Sequence, residues 1–467
     1  MTPPRAGLRG SEFATILFGT GLTLRLAAAI TWLAEPVWDG HYYDFGARRI
    51  AAGLGYSDDR SVDGHLVWHP WCHYPVGYSG FLAAFYRVLG PSYAVAGVAN
   101  ALVGAAIPVV TWALARHALS EGRARVAGWI VALHPGLILY AALVMSEPLA
   151  ALLTLTAFWL AVRDPRAMRG VVAGALALGV AALVRPQALL CAPFLAFVVP
   201  RPAGRLRAAI VACAVTLAPV VPWTVRNCRV MDGCALVSTN TGWNLAIGAF
   251  PRATGRFETL RSSDGCRDVT GQVQQDRCWM RYAMEQIVRR PGHWLSLVPA
   301  KLGYTFDHES FAVEYLREAR PDAWPEPRRE RARDLTTFVH RLLVAAAALG
   351  GVAFPVVRQV RAAATQGALL VGSALLGALA FSGPAPSFWP LVLWAAVVPW
   401  LPLPGRPATT AAAELALVLL ATTIAAHAVF FGDDRYHVVV TPVLALLAAS
   451  ALRRPVGGHV VGKAPPA

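Results

Sequence analysis

Asp39 and Asp44 stand in the run Trp38-Asp39-Gly40-His41-Tyr42-Tyr43-Asp44, and Glu147 stands in Met145-Ser146-Glu147-Pro148. A sheltered carboxylate can accept a proton from a reacting hydroxyl. Cations are spread more widely: Arg185 before Pro186, Arg226 in Pro222-Trp223-Thr224-Val225-Arg226-Asn227, Lys301 in Pro299-Ala300-Lys301-Leu302 and Arg435 in Asp433-Asp434-Arg435-Tyr436. Guanidinium groups grip phosphate oxygens in bidentate fashion, so the chemistry open to this set is proton removal beside a bound phosphate. Each cation also has a bland alternative partner, a lipid head group or a helix C-terminus. Lys301 stands out because only it and Lys463 are lysines among 42 basic residues. Tyr43, His134, Asn227, Asn240, Asn244 and Tyr436 are the polar members of the same motifs that would line a substrate cavity.

Two further groupings have competing readings. His65, His69 and His73 recur at spacings of four beside Cys72, and imidazole and thiolate are common zinc ligands. Pro70 interrupts any single helical face carrying all three, and Trp68 and Trp71 suit an interfacial aromatic belt equally well. A divalent metal is the one cofactor these residues bring into question. Asp39 itself could cap a helix N-terminus instead of acting as a base, and Ser146-Glu147-Pro148 reads as an ordinary helix start.

The elements that must position these residues follow from composition. The 467 residues are 56% hydrophobic and only 15% charged, with a mean hydropathy of +0.47, against roughly 25% charged residues in soluble chains. This predicts an all-α polytopic membrane protein and excludes disordered, collagen-like and small disulfide-scaffold classes. A span needs about 20 apolar residues. Stretches near 13–33, 91–115, 124–141, 147–162, 170–185, 187–200, 208–225, 336–357, 363–382, 387–403, 410–431 and 438–452 suggest about twelve helices. The first, after Arg5 and Arg9, is too long for a typical signal-peptide core and is read as a retained helix.

The formal charge of +15 does not imply nucleic acid; what matters is where the arginines sit. Arg116/Arg123/Arg125, Arg163/Arg166/Arg169, Arg201/Arg205/Arg207 and Arg358/Arg361 mark alternate short loops, which the positive-inside rule places in the cytoplasm with both termini, Arg453 and Arg454 closing the last helix. Reporters fused after Arg123 and Arg205 are then expected inside, and those near Gly265 and Pro386 outside. The expected organisation is an N-terminal module 1–225 containing a first outer loop 35–90, an outer region 226–335 forming a small lid of short helices, and C-terminal helices with a short tail over 336–467. Within the first loop, helical spacing of Tyr43, Ala47, Ile50, Ala51 and Leu54 predicts an interfacial helix, and the Pro75–Gly77 turn leads into a second, running to Leu89. Cys72, Cys228, Cys234, Cys266 and Cys278 all fall in outer segments, where oxidising conditions permit disulfides. Cys228 with Cys234 and Cys266 with Cys278 are plausible pairs, and a zinc site built from these four lacks any Cys-x-x-Cys unit.

Ionisable residues at membrane depth are costly and usually functional. Asp39, His134, Glu147, Arg185, Arg226, Asp433, Asp434 and Arg435 gather at the outward ends of different spans, and only Arg25 and Glu414 lie well inside. That pattern describes a cavity at the outer leaflet boundary. An ion-coupled transporter would show midplane charges and matching broken helices in two halves.

In their order along the chain these segments resemble bacterial polyprenyl-phosphate-dependent glycosyltransferases of the GT-C class, relatives of the dolichyl-phosphate-mannose protein mannosyltransferases and the lipid A aminoarabinose transferase. The residues carrying the resemblance are Asp39 with Tyr43 and Ala47-Arg48, then Pro75-Val76-Gly77-Tyr78, Ala132-Leu133-His134-Pro135, Ser146-Glu147-Pro148 and Arg185-Pro186. Pro222-Trp223-x-x-Arg226-Asn227, Ser238-x-Asn240-x-Gly242-x-Asn244 and Arg435-Tyr436 complete the set, which runs from about residue 8 to 452. Each motif is weak alone and the ordered set is specific. The chain departs from the pattern at Val76, where a second proline is usual, and at Ser79.

The resemblance implies a GT-C-like fold with about twelve spans and an inverting transfer of a sugar from a polyprenyl phosphate to an acceptor. It places Asp39 as the base, with Asp44 as the nearby alternative; Glu147 is the next carboxylate in line, and for a donor phosphate the cations suited by their chemistry are Arg185, Arg226, Lys301 and Arg435. The implied partners are the lipid-linked donor, a protein, lipid or glycan acceptor, and membrane lipids, with no nucleic acid. The implied location is the bacterial plasma membrane with the site facing outward. A lipid or solute transporter and a non-catalytic assembly factor are the rival classes.

Overall fold

The computed structural model describes residues 10–164, 166–353, 360–382, 387–401 and 409–452. Arg5, Arg9, Arg358, Pro386, Arg453 and Arg454 lie outside them, as does the side chain of Arg361. Helix occupies all twelve apolar stretches, but not to equal length. Gly10–Thr31, Tyr93–Ala115, Ala167–Val184, Glu326–Val352, Ala364–Ser382 and Ala411–Val429 are each long and apolar enough to cross a membrane. The bent pairs Glu121–Leu133 with Pro135–Ala142, and Pro202–Leu217 with Val221–Val230, raise that number to eight among the described residues. Shorter helices fill the other four stretches: Glu147–Arg163, Pro186–Val198, Trp389–Trp400 and Thr441–Ser450. The chain is a multi-pass helical membrane protein, while a full set of twelve spans is not established. Hydropathy reports where apolar residues run; prolines such as Pro135 and Pro193 decide how far one straight helix continues.

The break at Pro135 explains the one arginine expected deep within a span. Ending a helix frees its last carbonyls, and fully buried Arg25 donates to two of them, Nη1 to the Ala132 carbonyl at 3.1 Å and Nη2 to that of Val131 at 3.2 Å. Its charge therefore sits at the negative end of the broken helix.

The sequence expected to face outward folds into short elements. Asp39–Ala51 and Val76–Leu89 are the two helices of the first loop. Between them the strands Ser57–Val62 and His65–Pro70 pair antiparallel, Val62 opposite His65 and Ser57 opposite Pro70. This hairpin is the one departure from an all-helical architecture among the described residues. Its two-residue turn is Asp63-Gly64, with φ of 50° and 82°, the combination a tight hairpin favours. Further along, Thr241–Ile247, Gln272–Arg289, Pro291–Ser296, Val298–Phe306 and Phe311–Ala319 precede the long Glu326–Ala353 helix, which begins about ten residues before the apolar stretch it contains. Disulfides join Cys228 to Cys234 and Cys266 to Cys278.

Candidate active site

Asp39 opens the Asp39–Ala51 helix without capping it; no side chain caps that N-terminus. Trp38, just before it, has a φ of 51°, a conformation that costs a non-glycine residue about 1–3 kcal/mol unless its surroundings enforce it. The Trp38 ring packs against Phe311 and Tyr315, with centroids at 5.5 and 5.7 Å, which holds the turn. The Asp39 carboxylate is thereby free for other partners. Oδ1 accepts from the Tyr74 phenol at 2.8 Å and Oδ2 from Arg435 Nη1 at 2.5 Å.

Arg435 follows the end of the Ala411–Val429 helix and lies among three acids. Besides Asp39, its Nε stands 3.9 Å from Glu147 and 3.8 Å from Asp433. Arg185, directly after the Ala167–Val184 helix, donates to the other side of the same system, Nη2 to Glu147 Oε1 at 3.0 Å. Tyr436 separates the two guanidiniums, its ring centroid 5.2 Å from Arg185 and 5.0 Å from Arg435. A π face next to each cation is favourable and offsets part of their mutual repulsion.

These residues open on a cavity of about 400 Å³ lined by Asp39, Tyr43, Tyr74, Arg185, Arg435 and Tyr436 on its polar side. Asn240, Asn244 and Trp243 from the Thr241–Ile247 region, together with His73, form a second wall, and Leu190, Phe430 and Phe431 an apolar one. Gly77 sets the spacing between the first loop and Arg185. A Cβ there would come within 2.5–2.6 Å of backbone atoms of Leu183 and Val184, so only glycine lets the Val76–Leu89 helix rest directly on the end of the Ala167–Val184 helix. A second recess of about 350 Å³, lined by Arg256, Tyr304, His308, Asp433 and Asp434, shares Phe257 with the first.

The electrostatics follow from this placement. Burial alone would raise the Asp39 carboxyl, but Arg435, the Tyr74 hydrogen bond and Arg185 outweigh it and hold the group below the usual carboxylate range. Asp433 goes the other way: burial, with Asp434 adding to it, pushes it up to about 7 against the pull of Arg435. Burial likewise raises Tyr74, whose phenol stays protonated as a donor to Asp39.

Of the residues singled out from sequence, Asp39, Tyr43, Arg185, Asn240, Asn244, Arg435 and Tyr436 share this cavity. Glu147 is fully buried behind it, between the two arginines. Asp44 points away from it, paired with Arg48 at 2.7 Å and the Tyr86 phenol at 2.5 Å. Arg226 donates to the carbonyls of Tyr56, at 2.6 Å, and Trp71, at 3.0 Å, and buried Asn227 to those of Ala235 and Val237; both residues hold the outer loops together. His134 lies at the Pro135 break, 3.6 Å from Glu309.

Lys301 is fully buried, with Nζ 3.1 and 3.4 Å from the carbonyls of Val429 and Ala428, the last turn of the Ala411–Val429 helix. Burial pushes its ammonium down to about 8. A helix C-terminus needs such a donor, which accounts for a lysine there without a phosphate. The three-histidine metal arrangement is not assembled either. His69 bonds Asp58 at 2.6 Å, His65 is exposed on the hairpin, and His73 packs edge-on against Tyr74 and Trp243 in the cavity wall. Tyr74, Trp243 and His427 join the cavity without having been singled out for it. For Tyr74 the signal was its place directly before Pro75 in a motif already noted.

These placements lead to a contrast. Lys301→Ala and Arg226→Ala are each expected to lower stability by about 1–3 kcal/mol, the cost of buried carbonyls left unpaired, and to change polyprenyl-phosphate affinity less than about twofold. Thermal unfolding and a lipid-phosphate binding titration read the two effects. A tenfold affinity loss in either variant with its unfolding temperature intact would restore that residue to the phosphate.

No protein-family model matches the sequence, and no curated protein resembles it closely enough to count as a match. Several solved structures resemble the fold. The Archaeoglobus fulgidus oligosaccharyltransferase in its apo form is 13% identical, with a TM-score of 0.47 over 95% of this chain and 50% of that one. The same enzyme tethered to an acceptor peptide is 14% identical, with a TM-score of 0.45 over 95% of this chain and 49% of that one. ArnT from Cupriavidus metallidurans, bound to undecaprenyl phosphate, is 16% identical, with a TM-score of 0.37 over 94% and 77%. The chain spans about half the length of the oligosaccharyltransferase.

Proposed function

We propose that this protein transfers a sugar from a polyprenyl-phosphate-linked donor to a hydroxyl or other nucleophilic acceptor at the outer face of the plasma membrane. One observation carries the reading: an ionised carboxylate, Asp39, and two guanidiniums, Arg185 and Arg435, face one cavity where the ends of several membrane helices meet. Asp39 takes the acceptor proton as the acceptor atom attacks the anomeric carbon from the side opposite the phosphate. The bond between that carbon and the phosphate oxygen breaks, the oxygen keeps the electron pair, and Arg185 and Arg435 stabilise the charge gathering there. Attack opposite the leaving group inverts the anomeric configuration.

The Asp39–Arg435 pair has a part in this cycle. Alone, the pair keeps the carboxylate ionised but weakly basic. A donor phosphate that draws Arg435 toward itself weakens the pair, so Asp39 becomes a stronger base only when the donor is present. The apolar wall of Leu190, Phe430 and Phe431 suits the first units of a hydrocarbon chain. The arginine-bearing short loops would face the cytoplasm.

The test compares membranes with and without the protein by mass spectrometry. One sugar is expected to leave the polyprenyl-phosphate pool and appear on one acceptor class. An unchanged pool in membranes containing the folded protein and a complete set of lipid-linked sugars would overturn the assignment.

A further inference from the structure

Outside both cavities, four titratable side chains from four separate segments meet in the interior. Glu309, His340 and His437 each offer one ligand atom, and these atoms lie within 4.8 Å of one another. His134 joins them at the Pro135 break. Around Glu309 Oε2 stand His134 Nε2 at 3.6 Å, His437 Nε2 at 3.8 Å and His340 Nδ1 at 3.9 Å. All four residues are at most 3% exposed.

None of these separations is a hydrogen bond. Both oxygens of Glu309, both ring nitrogens of His134, His340 Nδ1 and His437 Nε2 have no hydrogen-bond partner. Leaving one such group buried and unpaired costs about 1–3 kcal/mol, so the four of them that converge, three ring nitrogens around Glu309 Oε2, call for an explanation.

The outer ring nitrogens identify what faces inward. His340 Nε2 lies 2.9 Å from the Phe306 carbonyl and His437 Nδ1 2.7 Å from that of Thr305. A carbonyl can only accept, so these nitrogens carry protons, and each ring that is neutral turns a lone pair toward the carboxylate. Capping the end of the Val298–Phe306 helix accounts for the outer nitrogens but not for the inner ones. Protonating one histidine would give Glu309 a single ion pair and leave the other lone pairs directed at a carboxylate oxygen.

A cation pairs His134 Nε2, His340 Nδ1, His437 Nε2 and the Glu309 carboxylate at once. Metal-ligating histidines characteristically donate their other N–H to a backbone carbonyl. With metal–ligand bonds of about 2.0–2.2 Å, tetrahedral ligand atoms stand roughly 3.3 Å apart, so the three histidine nitrogens at 3.6–3.9 Å from Glu309 Oε2 need draw toward it by only a few tenths of an ångström, and the ligand atoms of Glu309, His340 and His437, within 4.8 Å of one another, close to that spacing by shifts of about 1.5 Å at most. Gly136 makes room for the carboxylate, since a Cβ there would fall 1.5 Å from Glu309 Oε1.

We propose that Glu309, His340 and His437, with His134 as the fourth ligand, hold one divalent transition-metal ion, zinc by the preference of a three-nitrogen, one-oxygen set. With four protein ligands the site is closed and its role is structural. His437 is two residues from Arg435, and neighbouring Asp434 accepts from the backbone N–H groups of Ser310 and Phe311, the latter at 2.8 Å. The ion therefore ties the Arg435 segment to the Glu326–Ala353 helix and to the Pro135 break.

The experiment uses the full chain, purified in detergent through a tag without histidines and analysed for metals by mass spectrometry. About one zinc per chain is expected, falling below about a tenth in Glu309→Gln and His340→Ala and unchanged in His65→Ala. Should those variants fail to fold, the wild-type protein answers alone: chelator-treated protein is expected to bind one equivalent of cobalt saturably, with the visible spectrum of a tetrahedral site bearing nitrogen ligands. Wild-type protein that neither contains nor takes up one equivalent of zinc or cobalt overturns the proposal, as does a folded Glu309→Gln, His340→Ala double variant that keeps its metal.

Discussion

Asp39→Asn is expected to lower sugar transfer by about a hundredfold or more, the usual consequence of losing a general base, while expression and donor binding persist. The amide keeps the size of the side chain and can still accept from the Tyr74 phenol, but it cannot take a proton from the acceptor. Folding should survive because Arg435 retains Glu147 at 3.9 Å as a compensating charge, with the Asp433 carboxyl 3.8 Å away. A capping role would predict little effect, since Asn is as good an N-cap as Asp, and no side chain caps that helix in any case. The pH profile gives a second readout. With its pKa depressed in the free protein, Asp39 stays ionised there as pH falls into the ordinary carboxylate range, so in the pH dependence of kcat/KM, which reports the free enzyme, the base is lost only below that range. Near-normal turnover by a well-folded Asp39→Asn protein would remove Asp39 as the base and pass the role to Glu147, because Asp44 is engaged by Arg48 and Tyr86 elsewhere.

Arg435→Ala should be nearly as damaging, by a different route. Truncating one partner of a buried, hydrogen-bonded charge pair costs about 2–5 kcal/mol, so donor affinity is expected to fall at least about thirtyfold, with turnover reduced as well. Arg435→Lys should recover little, because an ammonium cannot bind Asp39 and a phosphate oxygen at once with the planar fork of a guanidinium. Binding of polyprenyl phosphate to purified protein, followed separately from turnover, distinguishes this from the Asp39 effect. Donor affinity within twofold of wild type in Arg435→Ala would show that the phosphate is held elsewhere, with Arg185 the remaining guanidinium in the cavity.

What could be read before folding and what could not divides along a physical line. The cost of exposing backbone and charge to hydrocarbon is paid residue by residue, so hydropathy located all twelve helical stretches. It could not say which were straight. Helices at 121–142 and 202–230 bend where the chain meets Pro135, Pro219 and Pro222, and the hairpin was overlooked although Asp63-Gly64 announced it.

The sequence by itself determined that ionisable residues gather near the ends of the helices, and therefore that any site would be built there from several segments. Only the tertiary structure decided which of them meet. Asp39 and Arg435 are 396 positions apart and share a hydrogen bond, whereas Lys301, the most conspicuous cation by composition, is spent on the end of a helix. The same holds for Glu309, His340 and His437, scattered over three segments, which meet with His134 only once the helices are packed together. Charge type and helix position are local properties of a chain; pairing energy depends on distance and burial, which exist only after the helices have packed.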